Sequence, residues 1–170
     1  DSASAKLPSV DSAWIEARTL LTAPPSASGA KALYDSTAAL DQASQHLVMA
    51  INSRGPEESR RLILASRMRM LSQRIAMHYL YRASGLMTPN APQMELSYAR
   101  SEFAANLSRS TQNNAFPAET REAVARLAGL WPAYQDAAGK TGEPVAMLKN
   151  APAVMEMSEQ VLGATDKVVG

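Results

Sequence analysis

The chain has 170 residues, 17 Lys and Arg against 16 Asp and Glu, and 46% hydrophobic residues. That is long and apolar enough for one cored domain and excludes wholesale disorder. It contains no cysteine, which excludes thiolate zinc sites, iron–sulfur clusters, cysteine nucleophiles and disulfides. With 31 alanines and 5% aromatics, the composition favours helices over sheets. No stretch approaches the ~20 apolar residues that span a bilayer. The polar opening has no apolar h-region, so it fits the start of a mature secreted protein or of an excised ectodomain.

Proline and glycine divide the chain into six predicted helices. The first covers 9–22 and stops at Ala23-Pro24-Pro25; the second covers 29–53 and ends near Ser53-Arg54-Gly55. Pro56 with Glu57 and Glu58 is a helix start, because proline suits the first helical position and acids face the positive end of the dipole. This third helix runs to Ser84, where Gly85 supplies a stop. A fourth covers 92–112; Asn113-Asn114 and Pro117 lead into a fifth, ending near 138. Gly139, Gly142 and Pro144 precede a sixth. No segment alternates like a strand. The third helix, at 1.5 Å per residue, would be about 42 Å long. The expected fold is therefore all-α: an elongated antiparallel, four-helix-type bundle with an extra N-terminal helix pair. Apolar residues surround the third helix, which predicts burial on several sides, inside its own bundle and against a partner.

An internal repeat emerges when the two tryptophans are superposed. Leu7, Val10, Ala13, Trp14, Ala17, Leu20 and Leu21 align with Val124, Leu127, Leu130, Trp131, Tyr134, Ala137 and Ala138. With a three-residue change in the loop, Ala39-Leu40, Ser44 and Leu47-Val48 align with Ala153-Val154, Ser158 and Val161-Leu162. Matching apolar spacing over two helix pairs points to tandem duplication. Both tryptophans then read as core anchors.

Residues 54–82 hold seven arginines, no lysine and two acids, a local balance of +5 against −4 for the rest. At 100° per residue Arg60, Arg67, Arg74 and His78 fall within about 20° of one line. Arg69 points about 160° away, near Ser72 and Gln73. Guanidinium groups buried among Leu, Ile and Met need an anion or carboxylate partner. Their planar fork matches carboxylate, nitrate or phosphate oxygens, and Ser and Gln add neutral donors.

Arg67-Met68-Arg69-Met70-Leu71-Ser72-Gln73-Arg74-Ile75-Ala76, followed by Tyr79-Leu80, closely resembles the signature of PilJ-type sensor domains. These are the N-terminal domains of type IV pili methyl-accepting chemotaxis transducers, related to the ectodomains of nitrate/nitrite sensor kinases. The likeness is strongest over 62–82. Ser66 and Met68 stand where the family pattern has Gly and Gln. The resemblance implies 54–170 as a PilJ-type sensor domain and 1–53 as the tail of a preceding repeat. It further implies a periplasmic, often dimeric helical bundle that binds a small anion. In the nitrate-binding members the Arg matching Arg69 contacts the anion where two motif helices meet, which implies that role for Arg69; Arg67, Arg74, Ser72 and Gln73 complete the candidate set.

Other chemistry is absent. There is no Gly-rich phosphate loop, no nucleophile–base set and no paired carboxylates, so no enzyme is expected. His46 and His78 without clustered acids make no metal site, and the methionines, among them Met68, Met70, Met77 and Met87, read as adaptable core filler. No cofactor is expected. Arginines among apolar residues do not form a solvated, phosphate-tracking face, which argues against nucleic acid. Two readings remain: a small-anion sensor that signals by helix displacement, with a homodimer or other protein as partner, and a ligand-free helical module for protein–protein interaction or assembly.

Overall fold

The computed structural model describes residues 3–52, 57–86 and 90–169. All regular structure among them is helical. After a turn at Ser4–Lys6 come α1 (Leu7–Thr22), α2 (Ala27–Asn52), α3 (Glu57–Ser84), α4 (Asn90–Thr111), α5 (Ala118–Gly139) and α6 (Pro144–Val169). The expected break at Ser53-Arg54-Gly55, the start at Pro56, and Met87 lie outside the described residues. So do the side chains of Glu57, Glu58, Arg60 and Arg61. No described helix is long and apolar enough to cross a membrane.

The helix ends follow local chemistry. α1 begins two residues earlier than expected because Pro8 sits within its first turn, where a missing N–H costs nothing. α2 also starts early: the Ser26 hydroxyl accepts from the Gly29 N–H at 2.9 Å, an N-cap. Gly85, at φ +65°, is the left-handed residue that ends α3.

The chain divides into two compact units, Asp1–Arg60 and Arg61–Gly170; the division falls just inside α3. In the second unit buried residues recur along each helix at three- and four-residue steps, the spacing of a bundle seam. In α4 they include Leu96, Ala99, Phe103 and Leu107; in α5 Val124, Leu127, Trp131, Tyr134 and Ala138; in α6 Val154, Ser158, Val161, Thr165 and Val168. Contacts fix the helix directions. Arg67 meets Glu102 and Arg74 meets Glu95, so α3 and α4 run oppositely. Phe103 stacks on Trp131 with ring centroids 4.4 Å apart while Arg100 donates to the Gln135 carbonyl, which sets α5 against α4. Arg69 meets Asp166 and Tyr79 reaches the Met147 carbonyl, so α6 opposes α3.

In the first unit α1 packs against α2, with Ala17 and Tyr34 buried.

The chain's own helices cover one side of α3. Ala65, Met68, Leu71, Ile75, Tyr79 and Ala83 are buried, whereas Leu62, Ser66 and Arg69 on the other side are exposed. Its apolar residues outnumber what its neighbours cover. One expectation is corrected here: the two tryptophans are not both core anchors. Trp131 is 7% exposed and Trp14 is 49% exposed, because Trp131 is covered by α4 and no described residue of the first unit gives Trp14 equivalent cover.

Candidate functional site

The seven-residue spacing of Arg67 and Arg74 on α3 meets the same spacing of Glu102 and Glu95 on α4. The result is two ion-pair rungs. Arg67 Nε pairs with Glu102 Oε1, with side chains 31% and 15% exposed. Arg74 Nη2 lies 2.9 Å from Glu95 Oε2. These guanidiniums carry their own carboxylates into a half-buried interface, which answers the cost of desolvating them. His78, one turn beyond Arg74, is buried. Burial, then the Arg74 guanidinium, pulls its pKa from 6.5 to about 4, so the imidazole is neutral at pH 7.

Arg69 is different. It faces α6, where its Nε lies 2.8 Å from Asp166 Oδ1, with side chains 56% and 52% exposed. The expectation of arginines buried among apolar residues therefore fails for Arg69, whose position puts its fork at the surface. Ser72 is fully buried. Its hydroxyl donates to the Arg69 carbonyl at 2.7 Å and its own carbonyl accepts the Tyr134 hydroxyl at 2.6 Å. Burial pushes that Tyr134 hydroxyl up, so it stays a donor. The Gln73 amide donates to the Ser158 carbonyl at 3.5 Å.

The five candidate residues thus do not converge. Arg67 and Arg74 tie α3 to α4, Ser72 lies beneath Tyr134, and Arg69 and Gln73 face α6. Only Arg69 presents a mostly exposed guanidinium. Three surface cavities of 330 to 390 Å³ lie on α4, α5, α6 and the α5–α6 loop, and none is lined by a residue of 67–74. No group of three or more His, Asp or Glu among the described residues has metal-binding spacing.

One polar cluster escaped the sequence reading. The Asn150 amide donates to the Tyr79 hydroxyl at 2.9 Å and to the Ala137 carbonyl at 2.8 Å, while Tyr79 donates to the Lys140 carbonyl at 3.0 Å. This network satisfies the carbonyls at the C-terminal end of α5. Residues 71 positions apart leave no local signal of it.

No protein-family model, curated protein or solved structure matches the chain.

Proposed function

We infer that residues 54–170 form a PilJ-type sensor domain, a periplasmic four-helix-type antiparallel bundle that binds a small oxyanion of the nitrate/nitrite class. Residues 1–53 are then an extra N-terminal helix pair, the tail of a preceding repeat. The activity is binding and signalling, not catalysis. The observation that carries the reading is the contrast among the motif arginines: Arg67 and Arg74 are held by partly buried acids, whereas Arg69 holds an exposed carboxylate. An exposed pair is worth only ~0.2–1 kcal/mol. A planar oxyanion competes for that fork at little cost and gains charge-assisted hydrogen bonds.

The resemblance implies an anion shared between Arg69 and its counterpart on a second motif helix. Displacing Asp166 frees α3 from one tie to α6, and a small sliding of packed helices is a recognised signalling movement. The occupied and empty states then differ by a named contact, as a population shift requires.

Thermal melting of the wild type and of Arg69→Ala across a nitrate and nitrite series tests this reading. The wild-type midpoint rises with anion, since a ligand at 100 times its Kd adds about 2.7 kcal/mol, and the Arg69→Ala midpoint stays constant. An unmoved wild type, or equal shifts in both proteins, leaves the ligand-free assembly module.

A further inference from the structure

The first unit has an apolar face that its counterpart in the second unit keeps covered. Leu7, Trp14 and Leu21 are 48%, 49% and 58% exposed, and at seven-residue spacing they form one stripe about 40° wide along α1. Their counterparts in the internal repeat, Val124, Trp131 and Ala138, are buried in α5. The second helices of the two pairs show the same contrast: Leu40, Ser44 and Leu47 of α2 are half-buried where Val154, Ser158 and Val161 of α6 are buried. The α5–α6 pair owes its burial to two further helices. α4 supplies Phe103 against Trp131, and α3 accepts the Tyr134 hydroxyl. The α1–α2 pair has the same seam and needs two more helices to close it.

The charges beside the stripe identify the occupant. Asp11 and Arg18 are exposed and lie on one flank of the stripe, three residues before Trp14 and four after it. Between antiparallel helices, like flanks face each other. A second α1 laid antiparallel across Trp14 therefore sets Leu7 opposite Leu21 and brings Asp11 within one residue's rise, about 1.5 Å, of the level of Arg18, twice over. A parallel pair loses this match. The face is self-complementary in the sense a two-fold interface requires.

We propose that two copies of this chain associate through their α1–α2 pairs, antiparallel about a two-fold axis at Trp14, so that four helices rebuild the assembly formed by α3–α6. The contact is short: 16 residues of α1 extend about 24 Å. The dimer is accordingly a reversible one of modest area.

Sedimentation equilibrium of the full chain over about a hundredfold range of concentration tests this. The wild type shows a monomer–dimer equilibrium. Trp14→Glu raises the dissociation constant about 30-fold or more, as removal of a central aromatic anchor does. Its far-UV circular dichroism stays that of the wild type, since the residue is half-exposed. Asp11→Arg also weakens the dimer, and the double variant Asp11→Arg with Arg18→Asp restores it, a rescue available to the antiparallel register alone. A wild type monomeric throughout overturns the proposal, as does a dimer indifferent to Trp14→Glu, which places the contact on another face. Failure of the double variant to rescue overturns the antiparallel arrangement. Should Trp14→Glu misfold, the charge-reversal pair carries the test.

Discussion

His78 lies buried between α3 and its neighbours, with its pKa lowered to about 4 by burial and by Arg74. The unfolded chain binds the proton first, near pH 6.5, so this residue's contribution to stability is complete above 6.5 and drains away as the pH falls towards 4. The loss amounts to about 3 kcal/mol at most. Unfolding free energies measured between pH 6.5 and 4.5 should fall more steeply for the wild type than for His78→Leu; identical slopes would mean that the imidazole is not desolvated. Asp166 supports a second prediction. Because its carboxylate occupies the Arg69 fork at 2.8 Å, the proposed anion site predicts that Asp166→Asn tightens nitrate binding about two- to fivefold, the worth of an exposed pair. Calorimetric titration against Asp136→Asn, an equal charge change beside Lys140, separates this effect from a general change of potential.

Among the helices, α3 does the most varied work, and each of its faces answers to a different neighbour. Towards α4 it offers paired charges, towards α5 the Ser72 carbonyl, and towards α6 Arg69 and Gln73. Tyr134→Phe removes the buried donor at the α3–α5 contact while keeping the ring. It should cost about 1 kcal/mol in denaturant midpoint terms, the net worth of one neutral hydrogen bond. Asn150→Ala should cost more, about 1–3 kcal/mol, because it withdraws the shared donor from the Ala137 carbonyl and the Tyr79 hydroxyl together. A loss for Asn150→Ala smaller than that for Tyr134→Phe would show that water reaches the end of α5 freely.

The two units predict unequal sensitivity across the molecule. Trp131→Ala removes a ring stacked on Phe103 and edge-on to Tyr134, and should cost about 3–5 kcal/mol. Trp14→Ala, at a half-exposed site, should leave the melting of dilute protein nearly unchanged, and its effect should grow with protein concentration as association contributes. Far-UV circular dichroism should report well over half helix, against the ~30–35% of an ordinary domain.

What was legible in the sequence was local. Apolar residues at three- and four-residue steps, Pro117 at a helix start and Gly85 at an end act within one or two turns, so the six helices could be placed to within about two residues. The arginine segment was legible as well, because six arginines on so apolar a helix demand partners wherever it folds. Which partners they take was not. Arg67 and Arg74 find Glu102 and Glu95, Arg69 finds Asp166, and Tyr79 finds Asn150, all between residues far apart in the chain. Trp14 and Trp131 have nearly the same local setting and opposite burial, since burial depends on which helices lie across them. Periodicity says that a helix has an apolar side; the packing of the other helices determines how much of that side is covered and which charged groups are left facing water.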